Sequence, residues 1–202
     1  MPKIFLQDSF KEFCEINKLE VNVQQIKIIN SLEKFLNNKA TILTRILKQK
    51  EKLCFYLYGK VGVGKTMLFD FVFNILKIRK HRLHFNEFMI NFHNFRHEKK
   101  DNNTITAFVN KLKKNYDLIY LDEFQVTNIV DAMILGKLFE VIFEEKIKII
   151  ITTNTKLHDL YKNGLQRDQF LPFISIIENF SVQKELQIQD DYRTKNNEKL
   201  QQ

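Results

Sequence analysis

Eight residues constrain this chain more than any others: Gly59-Lys60-Val61-Gly62-Val63-Gly64-Lys65-Thr66. They satisfy the pattern G-x-x-x-x-G-K-[ST]. Glycine at 59, 62 and 64 lets the backbone curl so that successive N–H groups turn inward as a nest for an anion. Three of the chain's five glycines fall here. The flanks agree with the loop. Leu53 to Tyr58 is an apolar run of strand length, and Thr66 to Lys77 has helical spacing. A helix opening at the loop adds the positive end of its dipole. In such a loop the backbone of Lys60, Val61 and Val63 serves the nest as the glycines do. Lys65 supplies a point charge for β and γ phosphates, and the Thr66 hydroxyl is a ligand for Mg²⁺.

The rest of the chain supplies the sheet that such a loop needs. Short apolar runs alternate with longer amphipathic stretches. Strands are expected at Arg82 to Phe85, Leu118 to Leu121, Ile147 to Thr152 and near Val182 to Ile188. Helices are expected near Glu87 to Phe95, Thr104 to Lys114, Val130 to Phe143 and Leu165 to Ile177. This alternation predicts an α/β fold, a P-loop NTPase with a central parallel sheet of about five strands flanked by helices. Before it, residues 24 to 48 read as a helical hairpin or broken helix, so residues 1–50 form an N-terminal helical segment and 51–193 the core. Residues 194–202 form a polar tail.

In a parallel sheet every strand ends on the same edge, so residues that follow strands matter most. Asp122-Glu123 follows the apolar run Leu118 to Leu121. There a phosphate loop needs a carboxylate to hold Mg²⁺, the role assigned to Asp122. Glu123 is then placed to polarise the attacking water as general base. Thr152-Thr153-Asn154 ends the next strand, and the Asn154 amide is a candidate sensor of the γ phosphate and the water. ATP and Mg²⁺ are the expected cofactors.

Other features carry less. The net charge of +8 admits a polyanionic partner, but the surplus is diluted in mixed runs such as Glu98-Lys99-Lys100-Asp101. That dilution argues against a nucleic-acid stripe and leaves room only for peripheral membrane contact. The basic run Lys77 to Arg82 is expected at the edge opposite the nucleotide. Cys14 and Cys54 have no paired spacing and suit a reducing compartment. His93 and His97 are four apart without a third ligand nearby and read as a helix surface. The first residues lack the pattern of a signal or transit peptide, and no apolar run reaches bilayer length. A cytoplasmic location is expected.

The order of these motifs resembles the AAA+ class, in which an Asp-Glu pair ends one strand and a polar sensor ends the next. More narrowly, the chain resembles the ATPases typified by the bacterial cell-division protein ZapE and its mitochondrial relatives. The resemblance is carried by Leu57 to Leu68, His84 to Met89, Asp122 to Thr127 with Asp131 to Leu135, Leu160 to Arg167, Phe170 to Ile174, and Asp191-Tyr192-Arg193. It implies that Lys65 and Thr66 act as Walker A, Asp122 and Glu123 as Walker B, and Asn154 as first sensor. Arg167 would be an arginine finger. It implies self-association and remodelling of a protein partner at the division ring. Mitochondrial relatives imply protein quality control instead; the start of the chain favours the bacterial type.

The chain departs from that pattern at Asn22 and Asn128, where acidic residues are expected, and at Thr153, expected to be serine. Lys60 and Val63 replace proline and arginine. Only nine residues follow Arg193, so a C-terminal helical lid is expected to be missing. Two rival readings follow: a lidless module that binds nucleotide or partner without hydrolysis, and an AAA+ loader acting on nucleic acid.

Overall fold

The computed structural model describes residues 5–38, 51–99 and 103–187. The second half of the expected helical hairpin, the Asp191-Tyr192-Arg193 motif and the polar tail lie outside them. Five strands form one sheet: β1 (Cys54–Tyr58), β2 (Lys80–His84), β3 (Leu118–Asp122), β4 (Lys148–Thr153) and β5 (Ser181–Glu185). Their order is β2-β3-β4-β1-β5, and every pairing is parallel. The strand ends therefore share one edge, as the β-α alternation requires.

Period-2 alternation divides the core between the two faces of the sheet. Phe55, Leu57, Leu118, Tyr120 and Ile150 point into one layer. There they meet α1 (Gln7–Ile16), α2 (Val23–Asn37) and α3 (Lys65–Ile75). Cys54, Tyr56, Ile119, Leu121, Ile149 and Ile151 point into the other. That face is covered by α4 (Phe85–Glu98), α5 (Thr104–Asn115), α6 (Ile129–Glu144) and α7 (Leu171–Phe180). Phenylalanine supplies most of the aromatic filling, and each fully buried ring contributes about 1.5–3 kcal/mol. Phe124 and Phe173 stack at 5.5 Å, and Phe139 meets Phe173 edge-on at 5.0 Å.

The N-terminal helices belong to the same layer as α3. Phe10 and Phe13 each pack 5.1 Å from Phe71 of α3, and Phe35 of α2 packs 5.6 Å from Phe55 of β1. Helix α1 falls within the N-terminal helical segment expected for residues 1–50 but is not distinguished there as an element of its own, although Leu6, Phe10 and Cys14 mark its buried face at helical spacing. The expected helix from Leu165 starts later, at Leu171, because a 3₁₀ turn at Arg167–Gln169 precedes it. Pro172 suits the first turn, where its missing N–H has no partner to lose.

Lys148 ties α2 to the sheet. Its Nζ donates to the carbonyls of Phe35 at 2.9 Å, Leu36 at 3.0 Å and Asn38 at 3.3 Å, the otherwise orphaned acceptors at the end of α2. Lys148→Met keeps the apolar stem and removes these bonds. It is expected to cost about 1.5–3 kcal/mol, the value of a hydrogen bond to a charged group. Denaturant melts check this, and an unchanged midpoint would show that α2 does not depend on the tie.

Candidate active site

A cavity of about 380 Å³ opens at the carboxyl edge of the sheet. It is lined by Val61, Gly62, Gly64, Lys65, Thr66 and Met67 from the loop and the start of α3. Asp122 and Glu123 line it from the end of β3, and Thr152, Thr153 and Asn154 from the end of β4. The parallel register accounts for the gathering. Tyr58, which precedes the loop, pairs with Thr153, and β3 lies on the far side of β4.

Gly64 has φ +83° and is the N-cap of α3. A β-carbon there would also come within 2.9 Å of the Gln25 amide nitrogen. The position needs glycine on both counts. Lys65 is nearly buried. Its Nζ donates to Gly59 O at 2.6 Å, Lys60 O at 2.7 Å and Asn154 Oδ1 at 2.9 Å. Burial pushes its pKa down, and the charge of Asp122 works against that shift. Thr66 is exposed at the first turn of α3. Gly59, Lys60 and Val63 do not line the cavity; Val63 packs into the core instead.

Asp122 is buried at the end of β3. Its Oδ1 accepts from the Thr152 hydroxyl and from the Glu123 N–H at 3.0 Å. Its Oδ2 accepts from Arg82 Nη2 at 2.8 Å. Burial works to raise its pKa, but the bonds from Thr152, Arg82 and Tyr120 outweigh burial and hold the carboxyl below its ordinary value. Glu123 has φ +51°, an uncommon conformation for glutamate. Its side chain is 80% exposed, and its carboxylate stands 3.8 Å from His84 Nδ1. Thr153 donates to Phe124 O at 2.7 Å, a bond that a serine hydroxyl would also make.

These residues fit a nucleotide with its metal. The loop offers a glycine-lined cradle and one buried ammonium, while Thr66 and Asp122 offer the hard oxygens that Mg²⁺ takes alongside phosphate oxygens. Among the described residues no cluster of three or more histidine, cysteine, aspartate or glutamate side chains could hold a metal by itself.

Arg167 lies elsewhere. Its Nη1 donates to Leu160 O and its Nη2 to His158 O, both at 2.7 Å. It does not line the cavity. The loop that presents it is packed closely. The Tyr161 ring lies across Gly164, where a β-carbon would fall 2.1 Å from a ring carbon, and the Tyr161 hydroxyl donates to Leu165 O at 3.0 Å.

Sequence reasoning missed Arg82, and it placed Thr152 at the strand end without giving it a role. The basic run was expected opposite the nucleotide, and it does begin away from the cavity. Arg82, however, pairs with Tyr120 in the register, and its guanidinium reaches the site at Asp122. The two asparagines that replace acidic residues lose nothing locally. Asn22 caps α2 by accepting from Gln24 N at 2.8 Å, and Asn128 caps α6 by accepting from Val130 N at 2.7 Å. Asparagine and aspartate serve that role about equally.

Comparison with known proteins agrees with this architecture. DnaA from Aquifex aeolicus bound to AMPPCP superposes with a TM-score of 0.59 at 18% identity, covering 92% of this chain and 54% of that one. The DnaC helicase loader superposes at 0.54, also at 18% identity, covering 83% and 92%. At that identity the likeness is one of fold, the AAA+ P-loop fold. In sequence the chain is 38% identical to lactation elevated protein 1 homolog B of Danio rerio, over 70% of this chain and 31% of that protein. It is 36% identical to the cell division protein ZapE of Escherichia coli K12, over 68% and 37%. The matches thus span about a third of the length of these curated relatives. The family model of the AFG1-like ATPases matches residues 2–202, and the chain belongs to that family.

Proposed function

We propose that this chain is the Mg²⁺-dependent ATP-binding and ATP-hydrolysing core of an AAA+ machine that works as an oligomer on a protein partner. The observation that carries the reading is the single cavity in which the glycine loop, Lys65, Thr66, Asp122, Glu123 and Asn154 meet. The loop's backbone N–H groups and Lys65 would bind the β and γ phosphates. Thr66 and Asp122 would hold Mg²⁺, which neutralises charge on the phosphate oxygens when bound. Glu123, exposed at the cavity mouth, has room to take a proton from an attacking water. Asn154, on Lys65 Nζ, would orient that water and the γ phosphate.

The partner class follows the cell-division relative, and a protein of the division ring is proposed on that likeness alone. The dispersed positive charge supports a protein partner over nucleic acid. Among the described residues no helix is long and apolar enough to cross a membrane. A cytoplasmic site of action, with room for peripheral membrane contact, completes the proposal.

Steady-state phosphate release tests hydrolysis. Glu123→Gln keeps the shape and removes the base, so turnover is expected to fall about 10²- to 10⁴-fold with ATP affinity retained. Equal turnover in the variant and the parent would take Glu123 out of the chemistry. Tight binding without turnover in the parent would make the chain a binding module.

A further inference from the structure

Arg82 lies two residues before the end of β2. Its guanidinium stands over the Tyr120 ring, 5.0 Å from the centroid. From there it forks. Nη2 donates to Asp122 Oδ2 at 2.8 Å, and Nη1 donates to Asp70 Oδ1. Asp70 sits on α3, four residues after Thr66 and so on the same helical face. The fork thus joins the helix that carries Thr66 to the strand end that carries Asp122. Those two groups come from different elements, and a metal shared between them needs a fixed span.

We infer that Arg82 is a positioning residue for the metal site, setting the aim of the Asp122 carboxylate and its distance from Thr66. The inference rests on the proposed roles of Thr66 and Asp122. Asp122 Oδ1 is held by Thr152 and by the Glu123 N–H, so losing Arg82 releases the carboxylate at its other oxygen. Two effects compete when Arg82 is removed. A nearby cation repels Mg²⁺, so its loss would strengthen metal binding; a lost hydrogen bond frees the ligand to swing, which weakens it. Asp70 decides between them. It pairs with the other arm of the guanidinium, so the Arg82 charge is offset before it reaches the metal. Aim therefore outweighs repulsion. A planar two-armed fork is also a geometry that lysine cannot reproduce.

The test titrates the full chain with a non-hydrolysable ATP analogue, once with Mg²⁺ and once with EDTA. The ratio of the two affinities reports the metal's share of binding. In Arg82→Lys and Arg82→Gln that ratio is expected to fall about 10- to 100-fold, the usual loss when an outer partner of a metal ligand is removed. The affinity in EDTA should stay near the parent's. Arg82→Gln is expected to melt lower because Asp122 is left buried without its charged partner, so Arg82→Lys, which keeps the charge, carries the comparison. Asp70→Asn loosens the helix arm and also removes the charge that offsets Arg82, so its ratio should fall as well while Asp122 keeps its bond from Arg82. An unchanged or larger ratio in Arg82→Lys would overturn the inference. So would an equal loss in EDTA, which would make Arg82 a support of the whole cradle. A parent chain with no Mg²⁺-dependent gain would instead remove the assignment of Thr66 and Asp122, and this inference with it.

Discussion

Arg167→Ala is expected to bind ATP with nearly unchanged affinity and to hydrolyse it about 10³ to 10⁵ times more slowly, the loss seen when an arginine finger is removed. The expectation rests on where the side chain is not. Arg167 does not line the cavity of its own chain, so any action on phosphate must be on a neighbouring subunit. Both of its resolved bonds go to carbonyls of its own loop, at His158 and Leu160. Those bonds would hold the guanidinium ready, with Tyr161 packed over Gly164 to stiffen the loop. Charge on the transferring phosphoryl group develops in the transition state, so a finger acts on rate more than on binding. Mixing decides the point. A Lys65→Ala subunit, inactive itself, should lend its Arg167 and restore turnover to Arg167→Ala. Equal turnover of Arg167→Ala and the parent at every protein concentration would leave Arg167 as a cap of its own loop.

Lys65→Ala is expected to lower ATP affinity by about 10²- to 10⁴-fold, from two hydrogen bonds to charged phosphate oxygens at about 1.5–3 kcal/mol each. Lys65 is the cation among the residues that line the cavity. Its Nζ rests on the carbonyls of Gly59 and Lys60 and on Asn154, so the charge is already poised over the cradle. Removing it takes away a desolvated charge as well as its bonds, and the fold should survive. Fluorescence of a labelled ATP analogue, with circular dichroism as the control, measures both. Parental affinity in a folded Lys65→Ala chain would show that the loop does not hold phosphate.

How much of this was legible before the structure follows from the range of each signal. The glycine loop, Asp122-Glu123 and Thr152-Thr153-Asn154 are local patterns, each a strand end read from its own apolar run. Parallel topology then brings them to one edge without further information. Arg82 belongs to a different class. Its partner Asp122 is forty residues away, and nothing in Lys77 to Arg82 separates the residue that turns toward the site from its neighbours. Only the β2-β3 register does so. Within the expected N-terminal helical segment, helix α1 is not legible as an element of its own because it is ten residues long and its stability comes from packing Phe10 and Phe13 on Phe71. The late start of α7 reflects the 3₁₀ turn at Arg167–Gln169, which the chain enters through Gln166 at φ +51°.

The most direct test of the account is a calorimetric titration of the parent chain with a non-hydrolysable ATP analogue in the presence of Mg²⁺. The account predicts saturable binding of one nucleotide per chain, weakened when Mg²⁺ is removed and weakened about 10²- to 10⁴-fold in Lys65→Ala. A folded chain that shows no saturable binding would contradict it.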